Sequence, residues 1–172
     1  KLMPVFHYGE DFKWLENMIN YRYTEGPLKG QYIDYIGISC NKELSSSDWY
    51  AWFLQVFKII RDSSNPNVKT HAFGMTSLRI LEQFPFYSAD STSWVRSASF
   101  GNIIVGYTSA YTSNRNLGDP GHINNQPKAV KDDVARICNK YGMNLEEIIN
   151  DDKPYPRAMF NLCSLKDWAD NY

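Results

Sequence analysis

The chain has 172 residues, 43% hydrophobic and 22% charged, enough to bury a core as one globular domain. A formal net charge of -1 excludes a nucleic-acid binder driven by a global positive field, but leaves open an enzyme that meets a polynucleotide through one local patch. No apolar run approaches the ~18 residues of a bilayer span and no signal peptide is visible, so the expectation is a cytoplasmic protein with no membrane partner.

LMPVFH (2–7) reads as a buried strand. Asp11 follows as the cap of a helix whose Trp14, Leu15, Met18 and Ile19 share one face. YIDYIGIS (32–39) is the second strand. Ser47 is the expected cap of the next helix, where Trp49, Trp52, Phe53, Val56, Phe57 and Ile60 keep a 3-4 spacing. That stripe is the strongest periodic signal in the chain and reads as core packing. VKTHAFG (68–74) is the third strand, and a short helix from about Ser77 to Gln83 stops before Pro85. FYSAD (86–90) and NIIVG (102–106) complete the strands. This alternation is the rhythm of βα units and a mainly parallel sheet, an α/β fold over residues 1–106. Residues 107–126 read as a polar loop rich in Asn, Ser and Gly. A helical tail, 127–172, starts at Pro127 with Val130, Val134, Ile137, Cys138 and Tyr141 and breaks at Gly142. Asn144 and Glu147 then suggest a capping box, and a last helix after Pro156 carries Met159, Leu162, Cys163 and Trp168. Cys40, Cys138 and Cys163 lie far apart and have no zinc spacing with the three histidines, so they read as reduced thiols.

In parallel βα folds, ligands bind at the carboxyl ends of strands. Those ends are His7-Tyr8-Gly9-Glu10, Gly37-Ile38-Ser39-Cys40, His71-Ala72-Phe73-Gly74 and Asp90-Ser91-Thr92-Ser93. Taken singly, each has a plain structural reading. A strand-end histidine is commonly structural, Gly37 and Gly74 suit ordinary turns, and Asp90 could cap its own turn. Together, all four ends carry polar groups able to converge on one pocket.

IDYIGISCNKE (33–43), THAFGMTSLRIL (70–81) and FYSADSTSWVR (86–96), preceded by PVFHYGEDFKWL (4–15), resemble successive strand ends of the tRNA-guanine transglycosylase superfamily. The likeness is closest to phage-type members that handle 7-deazaguanine bases and are linked to DNA modification. The resemblance spans residues 4–105 and implies the C-terminal half of a (β/α) TIM barrel, about four βα units. It implies exchange of guanine for a 7-deazaguanine base on DNA or tRNA, with neither redox cofactor nor metal. Asp90 aligns with the nucleophile that attacks C1′ and holds a covalent glycosyl-enzyme. Gly37 and Ile38 fall where the family's backbone meets the base, with Ser39 and Glu43 on the same loop. Tyr8, or His7 one residue earlier, falls where the family places a side-chain amide on the base, and His71 and Gly74 lie on the same substrate rim. Arg96 falls where the family sets an arginine against nucleic-acid phosphate.

The tail departs from the family in carrying no Cys/His zinc site. The four units also correspond to half of a ~250-residue barrel, which leaves two open sheet edges. The opening at Lys1, directly before an apolar run, points to a piece of something longer. The expected partner is therefore a second polypeptide or another copy that completes the barrel. Two other readings stay open, a binding module that grips nucleic acid or a purine without chemistry, and a structural subunit.

Overall fold

A computed structural model describes residues 3–40, 45–75, 77–112, 118–150 and 153–171. The chain divides into two compact units, Lys1–Ser91 and Thr92–Tyr172. In the first, strands β1 (Val5–His7), β2 (Tyr35–Ser39), β3 (Lys69–Phe73) and β4 (Ser88–Ala89) alternate with helices α1 (Phe12–Ile19), α2 (Ser46–Asp62) and α3 (Leu78–Gln83). The strands form one four-stranded sheet in the order β1-β2-β3-β4, every pair parallel. The α/β class expected from the βα rhythm is what this unit has.

Strand parity decides which face meets the helices. Phe6 lies opposite Ile38, and Ile38 opposite Ala72, so these three share a face with Ile36. That face packs on Leu15 and Ile19 of α1, on Trp52, Phe53, Val56 and Ile60 of α2, and on Ile80 of α3. The aromatic stripe of α2 is thus core, and each large side chain buried there stabilises the fold by roughly 1.5–3 kcal/mol. Trp14, read on one face with Leu15, Met18 and Ile19, is 55% exposed, because Leu15 and Ile19 take the buried positions. Asp11 caps α1 as expected, its Oδ1 accepting the Lys13 amide at 2.9 Å. The cap of α2 is Ser45, not Ser47. Ser45 Oγ accepts the Asp48 amide at 3.2 Å and donates to the Asp48 carboxylate at 2.6 Å, which selects it from three consecutive serines. The second strand is shorter than its pattern. Tyr32 instead makes an antiparallel bridge to Arg22, whose guanidinium lies 3.7 Å over the Tyr32 ring.

The second unit holds α4 (Ser93–Ser99), β5 (Asn102–Val105), β6 (Thr108–Tyr111), α5 (Lys128–Tyr141), α6 (Leu145–Asn150) and α7 (Pro154–Asn171). Here the structure corrects the expected organisation. β5 does not join the parallel sheet but pairs antiparallel with β6 across the two-residue turn Gly106-Tyr107. The segment 107–126 is therefore not a uniform polar loop: it supplies β6 and a 3-10 turn, Ile123–Asn125. Its buried apolar residues are Ala110 on β6 and Ile123 in the 3-10 turn, too few and too far apart to register as a period. Helix α4 carried no pattern that marked it. The Pro127 start, the Gly142 stop and the Asn144 cap of α6 stand where the sequence placed them, with Asn144 Oδ1 accepting the Glu146 amide at 2.9 Å. Ile103, Val105, Ala110, Ile123, Val134, Ile137, Cys138, Ile148 and Phe160 form this unit's core. Burial pushes the Cys138 and Cys163 thiols up from their ordinary range, which makes both poor thiolates. Among the described residues, no helix is long and apolar enough to cross a membrane.

Candidate active site

The face of the sheet turned away from the helices carries the other parity. Val5, Gly37, His71 and Ser88 stand in one lateral row, and His7, Ser39 and Phe73 in the next. Two residues after Ser88, the same alternation brings Asp90 to this face, just past the end of β4. Its backbone is fixed by the sheet, since the Asp90 amide donates to the Ala72 carbonyl at 3.2 Å.

Two groups meet the Asp90 carboxylate. The Gly74 amide donates to Oδ1 at 2.8 Å. His71 Nε2 lies 3.6 Å from the same oxygen. Gly74 follows β3 with φ 64, a left-handed conformation that a side chain would strain, and that turn aims its N–H at Asp90. Among the described residues nothing hydrogen-bonds Oδ2. The Asp90 side chain is 60% exposed while His71 is 15% exposed, so an accessible carboxylate rests on a sheltered imidazole.

Behind His71 the row continues. His71 Nδ1 and Ser88 Oγ are 2.6 Å apart, and the Tyr35 hydroxyl hydrogen-bonds the same Ser88 oxygen. Tyr35 OH also lies 3.4 Å from His71 Nδ1. The Phe73 ring meets His71 edge-on at 4.4 Å and covers Gly37. Tyr35 and Ser88 were missed by sequence reasoning, and Phe73 was placed at a strand end without a role. Parity held the signal: Ser88 is two residues before Asp90, Phe73 two after His71, and Tyr35 two before Gly37.

The remaining expected residues are scattered in role. His7 ends β1 exposed, its amide donating to Glu10 Oε2 at 2.8 Å. Tyr8 is 40% exposed and packs edge-on against Trp52. Ser39 closes β2, half-buried, with its carbonyl accepting the Tyr8 amide at 2.9 Å. Ile38 points its side chain into the core, so only its backbone faces the rim. Gly37 sits inside β2 rather than in a turn. Arg96 is exposed on α4 and belongs to the second unit. Glu43 lies outside the described residues. Among the described residues, no group of three or more His, Cys, Asp and Glu side chains is placed to hold a metal ion.

The class so defined is an α/β protein with an anchored, exposed carboxylate at the carboxyl edge of a parallel sheet. No family model, curated protein or solved structure matches the chain.

Proposed function

We propose that the chain carries the nucleophile of a base-exchange enzyme. Asp90 attacks C1′ of a guanosine in DNA or tRNA, expels guanine, and holds a glycosyl ester until a 7-deazaguanine base takes its place. The observation that carries this reading is the setting of Asp90. One carboxylate oxygen is held by the Gly74 amide at 2.8 Å while the other takes no hydrogen bond among the described residues. A nucleophile needs that asymmetry, with one oxygen fixed for aim and the second available for attack. The oxocarbenium-like transition state at C1′ favours a carboxylate on one face of the sugar, as in retaining glycosidases.

The finer fold reading rests on the same unit. Four parallel strands in sequential order, with all three helices packed on one face, support half of a (β/α) barrel whose helix-free face is the interior. On that reading a second polypeptide or another copy completes the barrel, His7, Tyr8 and Ser39 border the base, and Arg96 meets a phosphate.

The test is covalent trapping. The chain, together with the polypeptide that completes the barrel, is mixed with guanine-containing DNA or tRNA and a 7-deazaguanine base, quenched in denaturant, and its Asp90 peptide weighed by mass spectrometry. The expected result is a nucleic-acid adduct that Asp90→Asn abolishes. Equal nucleic-acid binding by both proteins with no adduct would sink the nucleophile and leave a nucleic-acid or purine-binding module.

A further inference from the structure

His71 was expected to touch the base, but its surroundings assign it elsewhere. Its two ring nitrogens face different partners. Nε2 looks onto Asp90 Oδ1 at 3.6 Å, and Nδ1 lies 2.6 Å from Ser88 Oγ, which Tyr35 OH also bonds. A carboxylate offers only acceptors, so the contact favours a proton on the nitrogen that faces it. In a neutral imidazole the other nitrogen is then an acceptor, and Ser88 must donate to it. The Ser88 oxygen is left to accept from Tyr35. One chain of donors satisfies every partner: Tyr35 O–H to Ser88, Ser88 O–H to His71 Nδ1, and His71 Nε2–H toward Asp90.

We infer that Tyr35 and Ser88 lock His71 in the Nε2–H tautomer, and that His71 is a positioning residue for the Asp90 carboxylate rather than a contact to the base. At 3.6 Å the Nε2–H makes an electrostatic contact with Oδ1, joining the Gly74 amide on the same oxygen. Both donors thus stand on the oxygen that does not attack.

The consequence for chemistry rests on the base-exchange reading. In the first step Asp90 Oδ2 bonds to C1′, and the electron pair of the C1′–N9 bond leaves with guanine. In the second, N9 of the incoming base attacks C1′, and the Oδ2–C1′ pair returns to the carboxylate. Guanine gains at N9 the proton that the incoming base loses there, so the exchange needs no oxidant or reductant. Negative charge reappears on Asp90 only in the second step, where donors fixed on Oδ1 stabilise the departing carboxylate. His71 therefore favours release of the intermediate over its formation.

Two measurements decide this. With histidine-labelled protein at neutral pH, long-range proton–nitrogen NMR should show His71 protonated on Nε2 and bare on Nδ1. Ser88→Ala and Tyr35→Phe should turn this into a mixture of tautomers while the backbone spectrum stays that of the folded chain. A His71 protonated on Nδ1 alone, or a tautomer indifferent to both substitutions, overturns the lock. In the trapping assay, His71→Phe should accumulate the adduct because its discharge by the second base slows about 10-fold or more. His71→Gln, which keeps an N–H donor, should recover part of that rate. Equal slowing of formation and discharge overturns the second-step role. If the wild-type chain forms no adduct together with the polypeptide that completes its barrel, the base-exchange reading fails, and the tautomer spectrum still decides the lock on its own.

Discussion

Phe73 leaves room at Gly37 for a hydrogen and nothing larger. A Cβ built there would stand 2.5 Å from Phe73 Cε2 and 3.0 Å from Val5 Cγ2. Gly37→Ala should therefore destabilise the first unit by about 1–3 kcal/mol in denaturant unfolding, the cost of overpacking a filled site. Phe73→Leu should absorb most of that penalty, so a double-mutant cycle should show coupling of at least about 0.5 kcal/mol; additive effects would mean that the ring does not press on the glycine. The sequence made Gly37 visible but not its reason, since a glycine in a strand reads equally as a turn, a bulge or a backbone left open to a ligand. Asp90 was legible because a carboxylate after an apolar strand breaks the local pattern. Tyr35 and Ser88 were not, because a tyrosine and a serine on a strand are ordinary until the register of β2, β3 and β4 sets them around one histidine.

Helix α7 shows the same limit across a whole element. Met159 and Leu162, two of the apolar residues that marked this helix in the sequence, are 54% and 44% exposed, while Arg157, Phe160, Asn161, Ser164 and Asp167 are buried. Two of the buried polar groups, Asn161 and Arg157, bind backbone. Asn161 Oδ1 accepts the Ile104 amide at 2.7 Å, and its Nδ2 donates to the carbonyls of Trp94 at 2.9 Å and Asn102 at 3.2 Å. Arg157 Nε donates to the Ala98 carbonyl at 3.1 Å in the last turn of α4, a carbonyl that the Gly101 amide also meets at 3.0 Å. One asparagine thus joins α4, β5 and α7, and a hydrophobicity pattern counts it as surface because it cannot see the partners. Asn161→Ala removes three hydrogen bonds from half-buried backbone groups and should cost about 2–4 kcal/mol in the second unit. Asn161→Leu should be no better, since it restores apolar volume and no hydrogen bond. A loss under about 0.5 kcal/mol for both would show that water replaces the amide. The strands and amphipathic helices of the first unit were readable because their burial is apolar and periodic. The second unit was read less well because β6 and α4 lack periodicity and α7 turns its polar stripe inward.

The chain as a whole is built on two separate cores, one formed by residues between Phe6 and Phe84 and the other by residues between Ile103 and Phe160. Acid should therefore act on them unequally. Asp167 is buried on α7, with Lys140 Nζ 2.5 Å from one carboxylate oxygen and Arg136 Nη1 2.8 Å from the other. Those hydrogen bonds, Lys140's first and then Arg136's, hold its carboxyl below the ordinary range against the opposing effect of burial. A carboxyl lowered on folding contributes stability that is complete above its unfolded value, near ~3.9, and is lost as pH falls through the lower folded value. Both cations stand about half exposed, so solvent screening keeps the contribution to about 1–2 kcal/mol. Asp167→Asn should remove it at neutral pH, and the difference from wild type should shrink toward zero once the pH is well below 3.9. Residue-resolved hydrogen exchange at pH 7 is the measurement. Amides of Thr92–Tyr172 should lose protection in the variant while those of β1 to β4 keep theirs, because the first unit's core includes no residue of the second. Equal loss in both units would mean that they unfold as one cooperative body, and a wild-type second unit whose protection does not change between pH 7 and pH 2 would mean that the Asp167 ion pairs contribute nothing to its stability.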